Sequence, residues 1–206
     1  PLEAGGYLYL AASAGTTEGY RDHTENTKSY GAVTYSLPFL DGNMDFGFDH
    51  SRTDGYLSGV VANSAVTENR RAFRSSSVQK KRSLRQTLWT KLEKTLETGD
   101  TFQVDAGRRL SGQEGRYLTG TSVDQLLRVN SLSPKFLGQT FLLSKSANYV
   151  VGMDLSQSQY LTGTSNTRTQ EISSLFGRAK VTLAEQLNTT LGARVTRDTN
   201  KLLNGA

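Results

Sequence analysis

The side chains that most often carry out chemistry in proteins are few in this chain and far apart. It has two histidines, His23 and His50, and neither has a second ligand at metal-site spacing. Asp22, Glu25 and Asp54 are carboxylates in polar segments, but they lack the spacing of a calcium-binding loop. A Gly-x-Ser-x-Gly elbow, a phosphate-binding loop and cysteine are all absent. The sequence therefore predicts no enzyme, no metal site and no cofactor.

The densest cluster of positive charge offers three interpretations. A solvated outer loop is the first, because runs of charge usually lie at the surface. Capture of an anionic ligand is the second, since guanidinium groups suit planar carboxylates. Nucleic-acid binding ranks last, because Phe73 is the only aromatic residue among these cations. The cluster consists of Arg70, Arg71, Arg74, Lys80, Lys81 and Arg82.

The composition limits the kind of protein that positions these residues. The 206 residues are 35% apolar and 21% charged, with a net charge of +5, and we expect a single domain over 1–206. Apolar runs are only a few residues long, which excludes a transmembrane helix. Residue 1 is proline rather than methionine, so we expect a processed chain or a piece of a longer one.

Apolar and polar residues alternate with a period of two along most of the chain, which predicts an all-β fold. Met44, Phe46 and Phe48 alternate with Asp45 and Gly47, for example. Histidine at position 50 continues the apolar side, where we expect it at a membrane interface. We predict nine strands, near residues 6–15, 29–38, 43–53, 81–96, 101–110, 122–140, 148–160, 169–184 and 189–198.

The predicted connections alternate between short and long. Short turns are expected near 41–43, 98–100, 146–148 and 185–188. Long polar loops are expected near 16–28, 54–80, 111–121 and 161–168. This alternation is typical of a transmembrane β-barrel, in which periplasmic turns are short and extracellular loops are long.

The two faces of the strands favour the same architecture. One face collects apolar residues suited to lipid: Val33, Leu37, Met44, Phe46, Phe48, Tyr149, Val151, Met153 and Leu155. The other collects charges suited to a lumen: Asp45, Asp49, Arg85, Lys91, Glu93, Asp105, Asp154, Lys180 and Arg194. A soluble antiparallel sheet also alternates, so it remains the alternative. We predict an antiparallel transmembrane β-barrel.

Several segments resemble TonB-dependent outer-membrane receptors, in the order in which that family carries them. Gly19-Tyr20-Arg21-Asp22 is similar to an early outer loop, and 52–57 with 64–72 resembles the next large loop. Asp54-Gly55-Tyr56-Leu57 departs from the family's Pro-Gly form there. The segment 149–155 resembles the family's Gly-Val-Asp strand, and 175–195 resembles the adjoining strand pair.

The resemblance implies a fold and an activity. Members have a barrel of 22 strands and an N-terminal plug that contacts the TonB complex. No plug-like segment occurs in these 206 residues, so we expect an early-to-middle section of such a barrel. The implied activity is import of a scarce nutrient chelate of the siderophore-iron, haem or cobalamin class. The implied location is the outer membrane of a Gram-negative bacterium, with lipid and lipopolysaccharide around the barrel and no nucleic acid as a partner.

The outer loops of the predicted barrel supply aromatic and cationic contacts for a bulky, often anionic ligand. The candidate ligand-binding residues are Tyr20, Arg21, His23, Tyr56, Arg70, Arg71, Arg74 and Tyr117. Two alternatives remain open at this point. One is a passive porin, and the other is a soluble basic β-protein that binds a polyanion.

Overall fold

The computed structural model is built from nine β-strands and describes residues 5–18, 25–39, 41–57, 79–116, 122–142, 145–163, 166–184 and 187–204. In this part of the chain no helix has the length and hydropathy needed to cross a membrane. The strands are β1 Tyr7–Thr17, β2 Asn26–Phe39, β3 Gly42–Leu57, β4 Gln79–Thr95, β5 Thr101–Arg116, β6 Ser122–Leu142, β7 Lys145–Thr162, β8 Asn166–Ala184 and β9 Leu187–Asn204. The predicted all-β fold is confirmed.

The strands form one antiparallel sheet in chain order, so that each strand pairs with the strand before it and the strand after it. Within the described residues, β1 pairs only with β2 and β9 pairs only with β8. We call the edge with the connections 40–41, 96–100, 143–144 and 185–186 the turn side. The opposite edge, with the connections 18–25, 58–78, 117–121 and 163–165, is the loop side.

The strands extend further towards the loop side than the sequence predicts. β5 continues to Arg116, so 111–116 is strand rather than loop, and only 163–165 separates β7 from β8 within the predicted loop 161–168. On the turn side, β7 begins at Lys145, which places the predicted turn 146–148 inside a strand. The reason is that most residues in these extensions are polar or small on both faces, with Leu161 as the exception. Hydropathy therefore carries no signal there, although the backbone hydrogen-bond ladder continues.

The strand register assigns residues to two faces of the sheet. Paired residues of antiparallel strands point to the same side, and Val33, Phe48 and Leu88 stand opposite one another across β2, β3 and β4. We call the side on which they lie the apolar face. Its large side chains are among the most exposed in the chain, with Leu88 57% and Val151 53% accessible. Exposed apolar side chains in this number are expected where lipid rather than water covers the surface.

The apolar residues do not cover this face along its whole length. They form a band on the turn side, which we call the apolar band: Leu8, Leu10, Val33, Tyr35, Met44, Phe46, Phe48, Leu88, Leu92, Val104, Leu132, Phe136, Val151, Met153, Leu155, Leu175, Leu191 and Val195. Towards the loop side, the same face continues as Arg52, Arg82, Arg108, Asn130 and Gln157. A spanning strand needs about 9–11 residues, whereas β6 has 21. The strands therefore extend beyond the thickness of a bilayer, on the loop side.

Candidate functional site: the polar face and the loop side

Of the eight predicted ligand-binding residues, the structure describes one, Tyr56. The other seven lie outside the described residues: Tyr20, Arg21, His23, Arg70, Arg71, Arg74 and Tyr117. Their roles stay predictions.

Tyr56 stands at the end of β3, opposite Lys80 at the start of β4. The Lys80 ammonium lies 5.8 Å from the centre of the Tyr56 ring, which is a cation–π distance. Both residues line an open depression of about 500 Å³ on the loop side, together with Arg82, Glu114 and Asp124. An aromatic ring and a cation therefore do meet at the edge where the sequence placed the ligand contacts.

Half of the predicted basic cluster belongs to a strand. Lys80, Lys81 and Arg82 are the second to fourth residues of β4, so they have fixed positions in the sheet. Arg82 bonds the carboxylate of Asp54 across the strand pair, with 2.7 Å between Nε and Oδ1. Its other partner is Glu114, at 3.7 Å. Arg82 is thus an ion-paired residue of the sheet rather than part of a solvated loop.

Asp54 has two cationic partners, since Arg52 of the same strand also bonds its carboxylate. The sequence suggested a solvated loop carboxylate here, but Asp54 lies in β3, on the loop side of the apolar band. Hydrogen bonds from Arg52 and then from Arg82 lower the pKa of Asp54 below its usual value. The same pairing raises the pKa of Arg82. Asp54 therefore lies at the centre of an exposed ion-pair network.

The opposite side of the sheet, which we call the polar face, carries a belt of paired charges at the depth of the apolar band. Three ion pairs define it: Lys91–Glu93 at 2.8 Å, Lys135–Asp105 at 2.7 Å and Arg194–Asp154 at 3.1 Å. We call these six residues, with the hydroxyl and amide side chains of the next paragraph, the polar belt. Each cation has a carboxylate partner, so the belt is nearly neutral.

Hydroxyl and amide groups fill the gaps between these ion pairs. Ser133 donates to Asp154 over 2.5 Å, and Arg194 donates to Ser174 over 3.0 Å. Gln103 donates to Asp105 over 2.9 Å. The remaining members are Ser36, Asn43, Asp45 and Thr196. Ser36 and Ser174 are each only 2% exposed, as expected where polar side chains crowd together on one face of a sheet.

His50 lies on the apolar face at the loop-side limit of the apolar band. Its Nδ1 atom is 3.3 Å from the side-chain nitrogen of Gln86, which stands opposite it on β4. Among the described residues, no group of three His, Asp or Glu side chains is placed to hold a metal ion.

The polar belt was only partly predictable from the sequence. The charged residues of one strand face could be read from the alternation, but their partners could not. Lys135 and Asp105 are 30 positions apart in the chain, and only the register of β5 against β6 brings them together. The signal that could have found them is an excess of opposite charges on the same predicted face of neighbouring strands.

Comparison with known proteins bears on the fold. No family model matches the chain, and no curated protein matches it. The fold is similar to that of the ferripyoverdine receptor of the outer membrane of Pseudomonas aeruginosa bound to ferripyoverdine, with a TM-score of 0.84, 14% identity, and coverage of 99% of this chain and 35% of that one. It is also similar to the pyoverdine outer membrane receptor FpvA from P. aeruginosa PAO1 bound to pyoverdine, with a TM-score of 0.82, 14% identity, and coverage of 99% and 38%.

A third structure, the FpvAI–pyocin S2 complex, matches with a TM-score of 0.78 and 14% identity, over 98% of this chain and 35% of that one. The chain thus spans a little over a third of the length of the structures that it matches. At this identity the likeness concerns the fold. The chain has the fold of a nine-stranded section of an outer-membrane receptor β-barrel.

Proposed function

We propose that this chain forms part of the barrel wall of a TonB-dependent outer-membrane transporter that imports a nutrient chelate. Iron–siderophore complexes are the first candidates for the ligand. The observation that carries the proposal is the pairing of an apolar band with a polar belt, in a sheet that matches ferripyoverdine receptors over nearly its whole length. A soluble sheet would have to cover the apolar band with a second layer.

The loop side supplies the ligand contacts in this proposal. Tyr56 and Lys80 pair an aromatic ring with a cation at this edge, on the side of the sheet that carries the apolar band. Tyr20, Arg21, His23, Arg70, Arg71, Arg74 and Tyr117 extend these contacts into the outer loops. The protein acts as a transporter rather than as an enzyme.

The remaining partners follow from this role. A plug inside the barrel contacts the TonB complex, which supplies energy from the inner membrane. Lipid surrounds the apolar band, and lipopolysaccharide surrounds the exposed strands on the loop side. A basic loop at this surface binds anions of the ligand or the lipid, and nucleic acid is not a partner.

Uptake of radioactive iron–siderophore complexes by cells that express or lack the full-length gene tests the activity. We expect uptake that requires the gene and stops when the proton-motive force is collapsed. Uptake that continues without the proton-motive force would indicate a passive porin. Recovery of the protein in the soluble fraction would instead favour the polyanion-binding alternative.

Single cysteines test which edge of the sheet faces outwards, and these 206 residues contain no natural cysteine. Glu114→Cys lies on the loop side and Thr98→Cys lies in a connection of the turn side. A membrane-impermeant maleimide added to intact cells should label the first and spare the second. Labelling of Thr98→Cys alone would show that the turn side, and not the loop side, faces outwards.

A further inference from the structure

The polar face has a second feature, located between the polar belt and the loop side. A depression of about 440 Å³ lies over β4 and β5, and Arg85, Thr87, Trp89 and Arg109 line it. The register places Thr87 opposite Arg109, and Trp89 opposite Gly107. All four side chains lie on the polar face. Arg85, Thr87 and Trp89 are an even number of residues from Lys91 along β4, and Arg109 is an even number of residues from Asp105 along β5. We call this feature the β4–β5 depression.

The cations of the depression differ from those of the polar belt. Lys91, Lys135 and Arg194 each have a carboxylate partner within 3.1 Å. Arg85 and Arg109 have no ion pair or hydrogen bond to any residue in the part of the chain that the structure describes. Two guanidinium groups on one wall, without a neutralising partner, form a site where the electrostatic attraction for a bound anion is strongest.

The charged residues around the two arginines determine the net charge of this site. Lys91 is engaged by Glu93, and Asp105 is engaged by Lys135. Asp49 stands opposite Thr87 on β3 and contributes one negative charge. The depression therefore has a surplus of about one positive charge, which suits an anionic group.

The hydroxyl of Thr87 points to the same ligand chemistry. Its Oγ1 atom is buried and has no hydrogen-bond partner among the described residues. An unpaired buried hydroxyl destabilises the fold, so structures seldom keep one without a use for it. A bound oxyanion would accept a hydrogen bond from it.

The aromatic member of the depression is Trp89, the one tryptophan in these 206 residues. Glycines flank it on both sides of its row, with Gly47 on β3 and Gly107 on β5. A Cβ atom added to Gly47 would lie 2.1 Å from Cε2 of the indole, so only glycine allows this position. The indole therefore lies over Gly47 of β3, and Trp89 lines the same depression as the two arginines.

We propose that the β4–β5 depression is a binding site for the carboxylate or phosphate group of a solute that passes along the polar face. Arg85 and Arg109 donate charge-assisted hydrogen bonds to the anion, Thr87 donates a further one, and Trp89 packs against the carbon skeleton. The inference rests on the proposed function in one respect, namely that the polar face lines a lumen. It adds a contact point on the polar face, on the opposite side of the sheet from Tyr56 and Lys80 and nearer the turn side.

Fluorine NMR with 4-fluorobenzoate tests the site, because this probe combines one carboxylate with an aromatic ring. Inorganic phosphate, added as a competitor, tests whether the charge alone suffices. The purified full-length protein in detergent should broaden the probe resonance. In Arg85→Gln/Arg109→Gln the affinity should fall at least about tenfold, since two charge-assisted hydrogen bonds are lost.

Arg178→Gln is the matched control, because Arg178 lies on the polar face of β8, outside the depression. Equal affinity in the double variant and in the control would overturn the proposal, as would absence of binding to the native protein.

Arg85→Lys/Arg109→Lys provides a second test should the glutamine variant fail to fold. It keeps the charge but loses the bidentate geometry, so it should bind the probe more weakly than the native protein and lose less than a glutamine variant. Affinity equal to that of the native protein would contradict a guanidinium site. The binding assay does not depend on uptake, so failure of the transport proposal and failure of this site are separate results.

Discussion

The turn-side and loop-side halves of the sheet consist of the same strands but differ in their chemistry. On the turn side, the apolar face carries exposed Leu88 and Val151 while the polar face carries the ion-paired belt. On the loop side both faces mix polar and apolar residues, and the face with the apolar band carries a row of Leu84, Leu126 and Leu161 there. The ion pairs of Asp54 and Arg82 stand on that same face.

This difference locates the bilayer. In the proposed barrel, the exposed apolar face lies in hydrocarbon, whereas the part of the face on which charges are tolerated lies in water or among lipid head groups. The loop-side half therefore forms a wall that projects from the membrane. The Lys135–Asp105 pair of the polar belt is less exposed than the pairs of Asp54 on the loop side, so solvent screens its attraction less.

Arginine substitution in the apolar band should produce the largest effect. Val151→Arg should destabilise the barrel by about 2–4 kcal/mol, because the charge enters hydrocarbon near the middle of the bilayer. Phe46→Arg and Met153→Arg should behave similarly. Refolding titrations of the full-length protein into lipid vesicles measure the free energy.

Gln157→Arg is the control for this prediction, since Gln157 lies on the same strand and face, six residues closer to the loop side. Its cost should be about 0–1 kcal/mol, as near an interface. Equal costs at 151 and 157 would show that the apolar band does not mark the bilayer.

Removal of one partner from the polar belt should produce an intermediate effect. Lys135→Met leaves Asp105 with its hydrogen bond from Gln103 but without its cation, and Lys135 is only 23% exposed. We expect a loss of about 1–2 kcal/mol, since hydrogen bonds to charged groups are worth about 1.5–3 kcal/mol and this pair is partly solvated.

A double-mutant cycle with Asp105→Asn in the same refolding titration isolates the pair. The double variant should lose less than the sum of the two single losses. Strict additivity would mean that the two side chains do not interact in the folded barrel.

The smallest effect is expected at the exposed ion pairs of the loop side. Asp54→Asn should lower stability only slightly, and about 1 M salt, with a Debye length of about 3 Å, should remove the difference. The folded-state pKa of Asp54 is lowered, so its contribution is present above the unfolded pKa of about 3.9 and is lost as the pH falls through the folded value.

Stability measured at neutral and at acidic pH tests whether the Asp54 contribution is lost as the pH falls. The native protein and Asp54→Asn should differ at neutral pH and converge at low pH. A difference that grows on acidification would contradict the assigned ion pairs.

The strands themselves were predictable because alternation is a local property. All nine are present, and Phe46, Val151 and Met153 lie on one face as the pattern predicted. The loop limits were less predictable, since residues 111–116 alternate without a hydropathy difference and yet continue the ladder with β6. The one described candidate site residue, Tyr56, lies on the loop side, but its partner Lys80 was assigned to a loop rather than to a strand.

The sequence by itself determined the fold class and the two faces of the strands, because side chains of successive residues point to opposite sides of an extended chain. Only the tertiary structure decided which charges are neutralised. Asp105 meets Lys135, and Asp154 meets Arg194, through strand pairings that no local pattern specifies. The same pairings leave Arg85 and Arg109 without a partner among the described residues. The physical reason is that register depends on contacts between distant segments, and the electrostatic state of each side chain depends on register.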